Sequence, residues 1–180
     1  MKHIKNITLV IAAALLLSTF ALAQDTIDQA AAENIALEAA GVAREEASRL
    51  STERENERGQ AVFEVEFGFG DLEYEYCIDA SDASIIKQSW ELTDAGARTL
   101  AAQQDANADA VDDAQALETA LENAALTQEQ VTNILIKSDS DEGLRLIEVN
   151  FRVGDTEYEY GIDAVSGEVL ERSIEPADND

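Results

Sequence analysis

The feature that most restricts the fold of this 180-residue chain is an internal repeat. Residues 25–89 align without a gap against residues 109–173, an offset of 84 positions, and 23 of the 65 aligned pairs are identical. Both copies contain Glu-Tyr-Glu-Tyr, at residues 73–76 and 157–160, and each is followed one residue later by Ile-Asp-Ala. Because self-similarity at a fixed offset marks a duplicated structural unit, the fold must use one small module twice.

The second copy predicts a helix followed by strands. Apolar residues recur at three- and four-residue steps with acids between them, which indicates an amphipathic helix capped by Asp109. The predicted core face of this helix consists of Val111, Ala114, Leu117, Leu121 and Ala124. After a short turn, residues 131–138 predict a strand, and residues 139–143 have the composition of a turn.

Two further strands of the second copy alternate apolar and polar residues. A two-residue loop at Gly154 and Asp155 sets their register and places Phe151 opposite Tyr158. The apolar positions that share one face of this hairpin are Ile147, Val149, Phe151, Val153, Tyr158, Tyr160 and Ile162. A second turn begins at Asp163, whose carboxylate can accept backbone amides, and a short strand closes the copy.

The first copy predicts the same elements with weaker signals. Its helix is capped by Asp25 or Thr26 and ends near Ala40, with Gly41 placed to adopt the left-handed conformation that ends many helices. Ala83 stands where the second copy has a glycine, so the last turn is expected to differ in geometry.

These patterns predict an α+β fold of two tandem repeats, each a helix packed on an antiparallel β-meander of three to four strands. The predicted organisation is a signal peptide at residues 1–23, a first repeat at 24–90, a connector at 91–108, a second repeat at 109–174 and an acidic tail at 175–180. Because a module of about 65 residues has a small core, contact between the copies is expected to add stability.

The N-terminal segment predicts export. Lys2 and Lys5 precede an uncharged apolar run at residues 7–20, and a small-x-small sequence then predicts cleavage between Ala23 and Gln24. The alternative is a retained anchor, but the run is short for about 30 Å of hydrocarbon. We therefore expect a periplasmic or secreted protein with no membrane attachment after cleavage.

The composition after cleavage weighs against an enzyme. The only histidine, His3, leaves with the signal peptide, which excludes Ser-His-Asp or Cys-His nucleophiles and histidine-bearing zinc sites. Two lysines leave as well, so 10 basic residues face 38 acidic ones, a net charge of −28. Such acidity repels nucleic acid and anionic membranes and favours basic proteins or cations, although its spread along the chain also fits simple solubility.

The outward faces of the predicted hairpins carry acids that form a candidate binding face. The register places Glu66 opposite Glu75, a like-charge pair that requires solvent, a cation or a basic partner, whereas Arg152 opposite Glu157 relieves the charge. The alternative is a solvated acidic surface. The candidate residues are Glu64, Glu66, Glu73, Glu75, Asp79, Glu148, Glu157, Glu159 and Asp163.

The sequence also contains one candidate calcium loop and one candidate reactive thiol. Counted from Asp139, glycine is fifth and position twelve is Asn150, so the segment fails as an EF-hand; a hairpin turn explains the same residues, and weak calcium binding is the alternative. No other metal or cofactor is predicted. Cys77, predicted on an outward face, suggests an intermolecular disulfide. The alternative is an inert residue, because Gly161 stands at the matching position.

The order of these motifs resembles the PepSY family. The resemblance lies in the alanine- and acid-rich helix, the Val-x-Phe strand, Glu-Tyr-Glu-Tyr and Ile-Asp-Ala-x-Ser-Gly-Glu-Val-Leu. The second copy, residues 110–173, matches throughout, and the first, residues 26–90, departs at Cys77 and Ala83. The resemblance implies a small extracytoplasmic module of the kind found in propeptides of thermolysin-like metallopeptidases, with a proposed role in peptidase inhibition or regulation and no catalytic residue.

Resemblance and composition together favour an exported, non-enzymatic binding or regulatory module, monomeric or weakly dimeric. Its partner is expected to be a protein, and the resemblance implies a metallopeptidase. Its sheet edges could pair with an extended segment of that partner. One alternative is an acidic, calcium-responsive or structural protein of the cell envelope, and another is a carboxylate-based hydrolase.

Overall fold

The computed structural model describes residues 27–57, 59–105 and 108–177. The predicted signal peptide, its cleavage site at Ala23 and Gln24 and the last three residues of the predicted tail lie outside these ranges. Within them, no helix combines the length and the apolar character that a membrane crossing requires.

The described residues form three α-helices, a short 3-10 helix and eight strands. In chain order these are α1 (Gln29–Ala40), β1 (Ser48–Glu57), β2 (Gln60–Phe69), β3 (Leu72–Asp79), β4 (Ile85–Leu92), α2 (Asp94–Ala101), α3 (Asp113–Ala124), the 3-10 helix (Gln128–Gln130), β5 (Thr132–Asp141), β6 (Leu144–Val153), β7 (Thr156–Asp163) and β8 (Val169–Pro176). The predicted α+β class is confirmed.

The two meanders form one eight-stranded sheet, and the prediction of a separate sheet in each repeat is wrong. The strand order is β1-β2-β3-β4-β8-β7-β6-β5, and all neighbours are antiparallel. In an isolated meander, the last strand would leave an edge of unpaired N–H and C=O groups. Pairing of Gln88–Trp90 in β4 with Arg172–Ile174 in β8 covers the centre of both edges.

The two repeats are related by a local two-fold axis. Ser89 pairs with Ser173, which occupies the same position in the other copy, so the axis passes between them perpendicular to the sheet. Such an axis keeps equivalent elements on one face, and α1 and α3 accordingly both cover the face that carries the aromatic residues. The repeats therefore meet as the two subunits of a symmetric dimer do. The opposite face of the sheet is called the outer face below.

Each repeat has its own hydrophobic core between its helix and the sheet. In the second repeat, Ala116 and Ala120 of α3 have no exposed surface and pack with Phe151 and Tyr160, whereas Ala114, predicted to face the core, is exposed. Small alanine side chains let the helix approach the large aromatic residues of the sheet, which explains why alanines lie at the centre of this contact.

Both main helices begin later than predicted. The Asp112 carboxylate accepts from the Gln115 amide N–H at 2.9 Å, and the Gln115 side chain accepts from the Asp112 N–H at 3.0 Å, which completes a capping box. Asp28 caps α1 through the Ala31 N–H at 2.9 Å. The predicted caps, Asp25 or Thr26 for the first helix and Asp109 for the second, are wrong because the equivalent aspartates one turn later accept these bonds.

The predicted hairpin register is confirmed in both repeats. Phe151 lies opposite Tyr158, with ring centroids 5.1 Å apart, and Val149 lies opposite Tyr160. The equivalent residues pair in the same way in the first repeat. Gly154 has a φ of 60°, which the two-residue loop requires of its first residue.

The predicted connector contains helix α2, which packs on the outer face of the second repeat. Ala97 of this helix contacts Leu144 and Leu146. The side chain of Gln104 accepts from the Arg145 N–H at 2.9 Å and donates to the Arg145 carbonyl at 3.1 Å. Strands β4 and β8 also extend two residues past the predicted repeat ends, to Leu92 and Pro176, so part of the predicted acidic tail is strand.

Candidate functional site

Seven of the nine acids predicted for the binding face lie on the outer face and are at least partly exposed. These are Glu64, Glu66, Glu73, Glu75, Glu148, Glu157 and Glu159. Glu66 lies opposite Glu75, as predicted, and Arg152 forms an ion pair with Glu157 at 2.9 Å. The outer face thus carries acids in both repeats.

The other two acids, Asp79 and Asp163, do not belong to an open face. Each is 3% exposed and holds the turn after β3 or β7. Asp79 accepts from the N–H and hydroxyl of Ser81, both at 2.6 Å, and from the Gln60 side chain, and these bonds lower the pKa of Asp79. Asp163 accepts from the Val165 N–H at 2.6 Å. Their assignment to a binding face is wrong, because the turns consume their hydrogen-bonding capacity.

Cys77 is buried, so the prediction of an outward thiol available to a second chain is wrong. Its side chain is 2% exposed, and its sulfur lies 3.7 Å from a carboxylate oxygen of Glu57. Burial, followed by the negative charge of Glu57, raises the pKa of the Cys77 thiol to about 12. A buried, protonated thiol is a poor nucleophile for disulfide exchange.

A cavity of about 400 Å³ opens on the outer face where the two repeats join. Ser89 and Ser173, the small residues on the local axis, lie in this cavity, which we call the seam groove. The acids that line the seam groove are Glu66, Glu73, Glu75, Glu91, Glu159 and Glu171, and Arg49 is also part of its wall.

Charge is distributed differently on the two sides of the axis. On one side, the Lys87 ammonium lies 2.8 Å from a carboxylate oxygen of Glu75 and 4.0 Å from one of Glu175. Burial works to lower the pKa of Lys87, but the hydrogen bond and charge of Glu75 raise it overall. The equivalents of this lysine and its two glutamates across the axis are Glu171, Glu159 and Glu91, which we call the seam triad. One side of the axis thus has a lysine held by two carboxylates, and the other side has a third carboxylate at the equivalent position.

The seam triad holds protons more tightly than isolated glutamates. Burial, followed by the charge of Glu91, raises the pKa of Glu171 to about 7. Burial and the charge of Glu73 raise the pKa of Glu91, and burial and the charge of Glu148 raise the pKa of Glu159. The surroundings of the triad therefore favour the protonated form of each of its carboxyl groups.

Gly161 provides the space in which the Glu171 side chain lies. A Cβ atom at position 161 would lie 2.7 Å from a carboxylate oxygen of Glu171 and 3.0 Å from its Cβ. The register shift in β8 between Val169 and Glu171 also lets Leu170 pack with the α2 core on the outer face. Glycine at position 161 therefore has a specific role, because any larger residue would collide with the Glu171 side chain.

Other acids of the outer face already have cationic partners. Glu73 pairs with Arg49 at 2.6 Å, and Glu148 pairs with Lys137 at 2.9 Å. Among the described residues, no lysine or arginine forms an ion pair with a member of the seam triad. The same residues contain no group of three or more side chains placed to hold a metal ion.

Sequence reasoning missed Glu91 and Glu171. The predicted boundaries place Glu91 in the connector, and the sequence pattern indicates only that Glu171 belongs to the last strand. The aligned copies do contain a signal for Glu171, because the position holds a lysine in one copy and an acid in the other.

Comparison with known proteins agrees with this repeat architecture. Residues 26–89 and 110–172 both match the PepSY model, described as the peptidase propeptide and YPEB domain. A 60-residue stretch is 45% identical to the uncharacterized protein Spy1430 of Streptococcus pyogenes serotype M6, covering 33% of this chain and 46% of that protein. The chain thus spans about half the length of this relative.

Two solved structures align with most of the chain. A candidate lipoprotein of Clostridium difficile 630 aligns over 84% of this chain and 95% of that chain, at 22% identity and a TM-score of 0.36. The C-terminal domain of Bacillus megaterium YpeB aligns over 85% and 99%, at 8% identity and a TM-score of 0.28. Because the two family matches together include more than half of the residues, the chain belongs to the PepSY family.

Proposed function

We propose that this protein is a non-catalytic binding module, exported to the periplasm or the medium, which regulates a peptidase by contacting a basic segment of it. Membership in a family described as a peptidase propeptide domain supports the choice of partner. The predicted signal peptide supports export. The absence of histidine after position 3 supports binding rather than catalysis.

The observation that carries the proposal is the seam triad. Across the local two-fold axis from the seam triad, the Lys87 ammonium group lies between Glu75 and Glu175. The triad has the two equivalent carboxylates without that lysine, so a lysine or arginine from a partner would supply the missing cation. The partner side chain would enter the seam groove.

Binding at the seam triad should depend on pH and salt. With the pKa of Glu171 raised to about 7, part of the population is protonated at neutral pH. A bound cation favours the ionised carboxylate, so binding releases a proton and strengthens as the pH rises through this value. Salt screens the attraction and should weaken the complex.

The test is a binding assay with a purified, co-exported thermolysin-like metallopeptidase, in which calorimetry measures affinity and peptide hydrolysis measures inhibition. Glu171→Lys supplies the missing cation within the chain and should weaken binding at least about tenfold. The matched control is Glu118→Lys, which makes the same charge change on an exposed position of α3, across the sheet. Absence of binding would contradict the proposed function. Equal weakening by the two variants would show that the partner does not bind in the seam groove.

A second candidate function is a response to calcium: six carboxylates line the seam groove and would attract hydrated calcium, although no described group of side chains is placed to ligate the ion directly. Bound calcium would stabilise the protein by mass action. Millimolar calcium should then raise the melting temperature more than sodium chloride of equal ionic strength, and Glu171→Lys should abolish the difference. Equal shifts for both salts would mean that the acids are only screened. A structural role in the envelope would be the remaining account if both tests fail.

A further inference from the structure

The two edges of the eight-stranded sheet have diverged. Strands β1 and β5 are equivalent elements of the two repeats and form its opposite edges. At the middle of β5, Leu135 is 55% exposed and Ile134 is 37% exposed. At the equivalent positions of β1, Ser51 is polar, and Leu50 is packed against the first core. One edge therefore presents apolar side chains to solvent where the other does not.

Polar contacts also connect β1, the edge strand of the first repeat, with helix α1. Thr52 of β1 donates to Glu33 of α1 at 3.2 Å, and Arg44 forms an ion pair with Glu33 at 2.7 Å. The equivalents of Thr52 and Glu33 are Ile136 and Leu117, which pack with the second core instead. In the second repeat, apolar residues therefore extend from the core through Ile136 to Leu135 on the edge strand β5.

The remainder of β5 is acidic. Asp139 and Asp141 follow Leu135 at steps of two along the outer face and are exposed, and the intervening Lys137 is already paired with Glu148. At about 3.4 Å per residue, Leu135 and Asp139 are separated by roughly 14 Å. A strand laid along β5 would meet an apolar surface at one end and two carboxylates at the other.

We propose that β5 is a docking edge for an extended segment of another protein, which adds a ninth strand to the sheet. An unpaired edge offers main-chain hydrogen bonds for affinity, and side chains on alternate positions give selectivity. The segment would place an apolar residue against Leu135 and, four positions away, a lysine or arginine against Asp139 and Asp141. The acidic end of this edge lies near the seam triad, because Asp139 and Asp141 line a second cavity with Glu91 and Glu171, whereas Leu135 lies outside both cavities. The proposal rests on the proposed function only in that the chain binds proteins.

Charge favours a basic partner segment over a second copy of this chain. The chain carries a net charge of −26, so self-association brings together two strongly acidic molecules. Antiparallel pairing of β5 with itself also supplies no free cation for Asp139 and Asp141. A basic segment has neither disadvantage.

The experiment uses the full chain and a fluorescent decapeptide of threonine that carries one valine and two lysines, four and six positions from the valine and on the same face of the strand. Anisotropy measures affinity, and backbone hydrogen exchange locates the bound peptide. We expect those amides of Thr132–Asp141 that point away from β6 to exchange at least about tenfold more slowly with peptide present, with no change in Ser48–Glu57. Leu135→Ser, which installs the residue of the other edge, should weaken binding about fivefold. The matched control, Ser51→Ala, should leave the affinity unchanged, and thermal melts confirm that both variants are folded.

Several results would overturn the proposal. Equal affinity for the same peptide with its valine replaced by glycine would reduce the interaction to charge alone. Protection confined to strands other than β5, or no binding, would remove the docking edge. Protection of β5 without peptide, together with a dimer in sedimentation, would make a second copy the occupant. Leu135 does not line the seam groove, so loss of the Leu135→Ser effect would show failure at this edge and not at the seam groove.

Discussion

Ala83 has the same left-handed backbone conformation as Gly167, its counterpart in the second repeat. Their φ angles are 66° and 77°. The N–H of Ala83 donates to the Asp79 carbonyl at 3.0 Å, and that of Gly167 donates to the Asp163 carbonyl at 2.9 Å. The aspartate-centred turn imposes this conformation whichever residue occupies it. The alanine is therefore strained, since its Cβ atom crowds the backbone there.

This strain predicts that Ala83→Gly stabilises the protein. Its free energy of unfolding should rise by roughly 1 kcal/mol, and Gly167→Ala should lower it by a similar amount. A Cβ atom at position 167 would meet Val111 at 3.5 Å, an ordinary contact, so the backbone alone should decide the effect. Urea denaturation measures both values. Ala61→Gly in β2 is the control, and similar destabilisation by Ala83→Gly and Ala61→Gly would contradict the strain.

The raised pKa of Glu171 predicts that stability decreases as the pH rises. Between the ordinary value of 4.5 and about 7, the folded state keeps a proton that the unfolded state has lost. The free energy of unfolding therefore falls across this window and levels off above it. After allowance for solvent screening, the contribution of Glu171 should be about 1 kcal/mol. Thermal melts across the window measure the slope.

Glu171→Gln is the control for this pH dependence, because it removes the titrating group and keeps a similar shape. The variant should be more stable than the natural protein at about pH 8 and show a shallower slope. Identical pH profiles for the two proteins would mean that Glu171 titrates as an ordinary carboxyl group.

Pairing between β4 and β8 predicts that the repeats depend on each other. Separate polypeptides of residues 27–105 and 108–177 expose these two edges, and α2 loses its contact with Leu144 and Leu146. Each should melt at least about 5 °C below the intact chain. Calorimetry measures the transitions. Two isolated repeats that melt at the temperature of the whole protein would show that the seam contributes nothing to stability.

Burial of Cys77 predicts an unreactive thiol. A side chain 2% exposed with a pKa of about 12 has little access and little thiolate. An aromatic disulfide reagent should modify the folded protein at least about a hundredfold more slowly than the denatured protein. Ser51→Cys in a Cys77→Ala background provides an exposed thiol for comparison. Equal rates for Cys77 and the exposed thiol would contradict the buried position.

Local features of the structure followed from the sequence. The two-residue loop at Gly154 and the alternation around it predicted the pairing of Phe151 with Tyr158, because hairpin register depends on residues that are neighbours in sequence. The bonds that Asp163 accepts were predictable for the same reason. The motifs of both copies also identified the family, which the family matches confirm.

The tertiary structure decided how these local units are joined and covered. Alternation assigns Asp79 and Cys77 to the outer face but contains no information about what else packs there, and both are buried. Main-chain pairing between β4 and β8 has no side-chain pattern that a sequence could display. That pairing places Glu91 beside Glu171 across the seam, although 80 positions separate them in the chain. The hairpins were therefore determined by the sequence alone, whereas the seam groove exists only because distant strands meet.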